Sequence, residues 1–268
     1  MPSPLALRSS LAASAELSPS PAAASQTPDL APRRTVHALG LPILPVTFAE
    51  TLDAIDRLIA EGQPNYFITA NLHYAMLSSR DERLKAVNRE AAFLLADGFP
   101  LLWAARLNGQ RLPERVTGSD LIYKLAERAA QKGHKIFFLG GAPGVADAAA
   151  SELCRRYPGL QIAGVEVPPF RAPTAEENAR LVERIRESEA DVLLVALGQP
   201  KGELWLWENR QALGVPAAVR VEWAYRMRRE PKRLAPRYFQ DALFLLRRAF
   251  VGLFTCCRRK PEEDSDKA

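Results

Sequence analysis

The chain has 268 residues, 47% of them hydrophobic and 25% charged, with a net charge of +5; that profile belongs to a globular chain of one or two domains and excludes a fibre, a wholly disordered protein and a multi-span membrane protein. Its three cysteines, Cys154, Cys256 and Cys257, cannot build a disulfide scaffold and offer no zinc-ligand spacing. Residues 220–260 carry twelve basic against three acidic side chains while the first 219 residues are nearly neutral, so a basic C-terminal arm is expected to meet phosphate, on lipid headgroups or on nucleic acid.

Ala, Ser and Pro fill 21 of the first 34 positions, and no aromatic residue is among them. Residues 1–34 therefore read as a disordered lead, and a poor signal peptide, because Arg8 interrupts the only leucine-bearing run. From Thr35 short apolar runs alternate with longer amphipathic ones. This predicts an α/β domain over 35–220, with a Rossmann-like, mostly parallel sheet and flanking helices. Strands are expected at 36–44, 66–70, 93–96, 135–139, 160–166, 191–197 and 215–219. Helices are expected at 48–61, 74–89, 101–107, 119–132, 144–156, 175–188 and 201–212. Thr47 with Glu50, and Thr174 with Glu177, have capping-box spacing.

Beyond the sheet, residues 221–257 read as a basic amphipathic appendage and 258–268 as a charged tail. Phe239, Leu243, Leu246, Phe250 and Phe254 recur at helical spacing, with Arg247 and Arg248 between them. That pattern suits an interfacial helix at an anionic membrane surface, and equally a terminal helix packed on the body. No apolar run reaches the 18 or so residues that a membrane-spanning helix needs.

In parallel α/β sheets ligands gather beyond the carboxyl ends of the strands. The first strand end of interest delivers Thr69 and Asn71, two apart and so on one side; Asn71 can alternatively cap the next helix. The second delivers Asp97 before Gly98. If Phe99, Trp103 and Leu94 shield this carboxylate from water, its pKa should rise into the range of a general base, although it too can cap a helix. Arg115, shortly downstream, has the chemistry for a phosphate contact. The third region holds two glycine turns. Gly140, Gly141, Pro143 and Gly144 lie between a strand and a helix, where backbone N–H groups can cradle phosphate. Gly198, Gln199, Pro200 and Lys201 form a parallel turn, with Glu203 one helical turn further in. The spacing is not the dinucleotide fingerprint, so a nicotinamide-dependent oxidoreductase, aided by Glu166 at a later strand end, is the weaker reading. Asp264 and Asp266 form a DxD pattern in the acidic tail and are discounted as a metal site; no metal is expected.

The segments ITANLHYAM, LLADGFPLLWAARLNGQRLPERVTGSDL, FFLGGAPGVADAAASEL, ADVLLVALGQPKGELW and EWAYRMRREPKRLAPRY together resemble the WecG/TagA/CpsF glycosyltransferases, glycosyltransferase family 26, over roughly residues 36–240. The resemblance implies an inverting, metal-independent transfer of an N-acetylmannosamine-type sugar from a UDP-sugar to a polyprenyl-diphosphate-linked saccharide, in cell-surface polysaccharide biosynthesis. It implies no cofactor beyond the UDP-sugar donor, and a peripheral place on the cytoplasmic face of the plasma membrane. By position, Asp97 matches the proposed catalytic base, Thr69 and Asn71 line the pocket, Arg115 contacts diphosphate or acceptor, and Gln199 matches the glutamine of the second turn. The expected partners are therefore the UDP-sugar, the lipid-linked acceptor and an anionic membrane surface. Nucleic acid is not expected, since the basic arm has no recognisable module, and a homo-oligomer is left open.

Two departures from the family pattern stand out. The turn reads Pro200-Lys201-Gly202-Glu203 where the family has P-K-Q-E. After Val219 the chain also passes through Arg220 and Val221 directly into Glu222-Trp223, which is about 25 residues shorter than the pattern. The alternative expectation is thus a catalytically impaired member that binds only nucleotide or membrane.

Overall fold

A computed structural model describes residues 35–169, 171, 173–221 and 244. The expected lead, the charged tail and all of the appendage except Val221 and Phe244 lie outside the described residues. The domain opens with a hairpin, β1 (Val36–Ala38) and β2 (Leu41–Ile43), followed by α1 (Phe48–Glu61), β3 (Tyr66–Ala70), α2 (Leu72–Ser78), α3 (Glu82–Glu90) and β4 (Leu94–Ala96). It continues through α4 (Phe99–Leu107), α5 (Gly118–Lys132), β5 (Lys135–Gly140), α6 (Val145–Arg156) and β6 (Gln161–Glu166). α7 (Ala175–Glu187), β7 (Val192–Ala196), α8 (Lys201–Leu213) and β8 (Ala217–Arg220) complete it.

Six strands form one sheet in the order β4-β3-β8-β7-β5-β6, and every pairing is parallel. The expected Rossmann-like α/β architecture is therefore present. All six carboxyl ends share one edge, and the chain reverses its direction of travel across the sheet twice, which opens crevices there. The inner strands carry apolar side chains on both faces, so each face has its own core. Ile68, Leu139, Leu193, Val195 and Ala218 belong to one cluster and Phe67, Ile136, Phe138, Leu194 and Val219 to the other. That is the signature of a parallel sheet covered by helices on both sides.

Both expected capping boxes form. Thr47 and Thr174 accept from the backbone N–H of Glu50 and Glu177, whose carboxylates reach back to the cap residues. Two elements differ from expectation. The strand expected over 36–44 is a hairpin, because Leu39 and Gly40 both adopt positive φ, 52° and 85°, and fold Val36 back onto Ile43. The helix expected over 74–89 is two helices, because Asp81 accepts from the Arg83 N–H and starts α3 afresh. The hairpin shields the outermost strand: Leu44 N–H donates to the Leu94 carbonyl at 2.8 Å, which occupies part of an otherwise open sheet edge. Phe244 is buried and belongs to the apolar cluster that also contains Leu206 and Leu213.

Candidate active site at the carboxyl edge of the sheet

Asp97 follows β4 directly, and its backbone N–H extends the ladder to the Ala70 carbonyl at 2.7 Å. Gly98, the next residue, is the N-cap of α4. Asp97 Oδ2 accepts the Gly118 N–H at 3.1 Å, at the first residue of α5. A backbone donor and the first turn of a fifteen-residue helix thus face the carboxylate. The expected enclosure by aromatic side chains is absent. Leu94 is buried, but Phe99 and Trp103 face outward and Asp97 itself is only half-buried.

Thr69 ends up beside this carboxylate. A Cβ placed on Gly118 would lie 3.1 Å from Thr69 Oγ1 and 3.7 Å from Asp97 Oδ2, so the two side chains converge on a point that only glycine leaves clear. The Thr69 hydroxyl donates to the Arg220 carbonyl at 3.3 Å, which links the ends of β3 and β8. Asn71 is the N-cap of α2, with its Oδ1 accepting the Tyr74 N–H at 2.9 Å. Arg115 stands at the rim, exposed, with its guanidinium 4.8 Å above the Phe99 ring. The adjoining Val116 N–H bonds to the Ala96 carbonyl at 3.0 Å, which fixes this loop to the strand that delivers Asp97.

The first glycine turn abuts the end of the strand that leads into the second. Gly140 has φ 94°, and a Cβ there would meet the Ala196 carbonyl oxygen at 2.9 Å, so the first turn packs flush against the end of β7. Gly141 and Gly144 also have positive φ, and α6 begins without a side-chain cap, which leaves backbone N–H groups available to a phosphate. In the second turn Gln199 precedes a cis peptide bond to Pro200, and its Nε2 donates to Glu203 Oε1 at 3.2 Å.

Beneath that turn lies a buried ion pair that no local pattern foretells. Glu203 and Arg220 have side chains only 1% and 5% exposed, with Arg220 Nε 3.7 Å from Glu203 Oε1 and 3.4 Å from the Leu197 carbonyl oxygen. Glu203 therefore lies under the turn and holds Gln199 from below. Glu166, which would serve the nicotinamide reading, instead accepts from Arg184 Nε at 2.7 Å, on the outermost strand β6. Among the described residues no group of three or more His, Cys, Asp or Glu side chains is placed to hold a metal ion, and no helix is long and apolar enough to cross a membrane. A cavity between the hairpin and α3, bordered by Leu39, Lys85 and Arg89, shares none of the residues at the carboxyl edge.

Residues 36–221, which span the whole described sheet, match the glycosyl transferase WecG/TagA/CpsF family. The chain belongs to that family. Among its relatives is the N-acetylglucosaminyldiphosphoundecaprenol N-acetyl-beta-D-mannosaminyltransferase of Bacillus spizizenii, 28% identical over 174 residues, 65% of this chain. The match covers 66% of that relative, just under two thirds of its length. The family match runs to Val221, just past β8, and so includes the sheet and its carboxyl edge. Of the residues expected at a WecG/TagA/CpsF site, Thr69, Asp97 and Arg115 gather at the β3–β4 end. Gly140, Gly141, Pro143, Gly144, Gly198, Gln199, Pro200 and Lys201 gather at the β5–β7 end, with Glu203 below them. Gly118 and Arg220 lie at the candidate site, and the sequence does not single them out as members of it. The only signal for Gly118 is its place in the run Thr117-Gly118-Ser119, and Arg220 has the look of the first residue of the basic arm.

Proposed function

We propose that this chain is an inverting UDP-sugar transferase that moves an N-acetylmannosamine-type sugar onto a polyprenyl-diphosphate-linked saccharide without a metal ion. The reading rests on family membership, on the name of the Bacillus spizizenii relative, and above all on one observation: the Asp97 carboxylate at the carboxyl edge, held by the Gly118 N–H beside Thr69. A sugar hydroxyl has a pKa far above 7, so its proton must be taken as it attacks the anomeric carbon. Asp97 is the acceptor of that proton, Thr69 and Asn71 line the pocket, and attack from the face opposite the leaving UDP inverts the centre in one displacement. UDP departs with charge developing on its phosphates. Arg115, at the same strand end as Asp97, stabilises that charge where a metal would otherwise serve, and the backbone N–H groups of the Gly140–Gly144 turn hold the nucleotide side of the donor. Gln199, braced by Glu203, orients the donor from the second turn.

The test is UDP release from UDP-N-acetylmannosamine with a short-chain polyprenyl-diphosphate N-acetylglucosamine acceptor, in the presence of a chelator. Asp97→Asn should lower kcat by about 100-fold or more with UDP affinity retained. Equal turnover by both proteins removes Asp97 from the role of base. A second reading is favoured by the short passage after Val219: a member that binds nucleotide without turning it over. Calorimetric UDP binding with no turnover on any UDP-sugar would establish it.

A further inference from the structure

Helix α4 is apolar on two opposite sides. Its sequence, FPLLWAARL, contains a single charged residue, Arg106. Leu101 and Ala105 are fully buried and Leu102 and Ala104 pack against the same core cluster, so the inner side is accounted for by the fold. On the outer side Phe99, Trp103 and Leu107 recur every four residues and are 53%, 61% and 89% exposed. A helix that is apolar all round belongs in an apolar surrounding, and a contiguous exposed stripe of large apolar side chains marks a contact surface. The stripe runs about 12 Å along the helix at 1.5 Å per residue.

The character of its rim selects the occupant. Arg106, Arg111 and Arg115 are all exposed around the stripe. Arg115 lies over the Phe99 ring, with its charge at the level where the apolar stripe begins. The acidic residue of this stretch, Glu114, is engaged elsewhere and accepts the Phe48 N–H at 2.7 Å. Aromatic and aliphatic side chains bordered by arginines match the boundary between acyl chains and phosphate headgroups. Position agrees with chemistry, since Phe99 is two residues beyond Asp97 and the stripe leads outward from the candidate site.

We infer that α4 is an interfacial helix: Phe99, Trp103 and Leu107 enter the acyl–headgroup boundary of an anionic bilayer while Arg106 and Arg111 meet lipid phosphates, which sets Asp97, and Arg115 with it, against the membrane surface. This contact is separate from the basic arm beyond residue 221. It rests on the reading of the site as one that serves a polyprenyl-linked acceptor, because such an acceptor stays in the bilayer and the site must come to it.

The full-length chain is sedimented with vesicles of phosphatidylcholine and phosphatidylglycerol, without sugar nucleotide or acceptor. Trp103→Ser/Leu107→Ser should lower vesicle partitioning by about tenfold or more, and Trp103→Phe should leave it nearly unchanged. With brominated lipids, the tryptophan quenching seen for wild type should fall in Trp103→Phe, which keeps Trp205, Trp207 and Trp223. The quenching arm decides the matter even if the double variant misfolds, which circular dichroism would reveal. Unchanged partitioning of a folded double variant overturns the inference, as does equal quenching of wild type and Trp103→Phe. Loss of a dimer by light scattering with vesicle binding intact also overturns it, and assigns the stripe to a second copy of the chain. The assay contains no reaction, so a failure of transferase activity and a failure of membrane contact are read separately.

Discussion

The side chain of Arg220 occupies the space that any side chain at position 202 would need. A Cβ on Gly202 would lie 2.9 Å from Arg220 Cγ and 3.1 Å from the Leu197 carbonyl oxygen. The guanidinium reaches under the second turn to Glu203 and so braces Gln199 from below.

Because this pair is buried, removing one partner should cost far more than removing both. Arg220→Met leaves the Glu203 carboxylate buried without its cation and should destabilise by about 3–5 kcal/mol. Arg220→Met with Glu203→Gln should recover most of that loss. Urea unfolding of the two single variants and the double variant measures the coupling; additive losses would mean that the two side chains do not act as a pair.

Gly118 lies against both Thr69 and Asp97, and its substitution tests the site without replacing either residue. In Gly118→Ala the new methyl carbon, 3.1 Å from Thr69 Oγ1, must push the hydroxyl aside and disturb the carboxylate that bonds the same residue's N–H. Stability should fall by no more than about 1–3 kcal/mol, whereas kcat/KM should fall by about 10–100-fold, because small displacements of reacting groups are costly. UDP release kinetics beside thermal melts separate the two effects.

Asp56 ties α1 to α5. Burial alone would raise its pKa, but hydrogen bonds from Lys132 and Arg128 outweigh that and hold the carboxyl below its ordinary value. His134 Nε2 lies 3.5 Å away on the other oxygen. A carboxyl with a lowered folded-state pKa adds stability above its unfolded pKa, and that contribution disappears as pH drops through the folded value. Asp56→Asn should therefore be less stable than wild type at pH 7 by about 1 kcal/mol, since both cations remain partly solvated. The gap should close below about pH 4. Denaturant titrations at several pH values check the sign: a gap that widens in acid would reverse the assignment.

How much of the molecule is legible in its sequence follows from the range of each interaction. The inner strands and most helices announce themselves through local periodicity, and the capping boxes through a three-residue spacing. The hairpin is hidden because Leu39 takes a positive φ that its side chain gives no reason to expect, leaving Gly40 as the lone turn signal in an apolar run. The break between α2 and α3 is hidden because Asp81 sits in a polar stretch compatible with one continuous helix. At the site, Asp97, Thr69 and Gln199 can be placed at strand ends because topology fixes where strand ends go. The Arg220–Glu203 pair cannot, since burial of two charges depends on a contact between residues 17 positions apart on different elements. The outward turn of Phe99 and Trp103 runs against expectation for a related reason: an apolar helix does not declare which of two apolar sides meets the core.

Under the proposed function, the sheet order has a consequence for how a tethered substrate would be served. β4 is the terminal strand, so the carboxylate it delivers stands at a flank of the sheet and not at its centre. A molecule anchored by a long tail can bring its sugar end sideways to such a position while the tail stays outside.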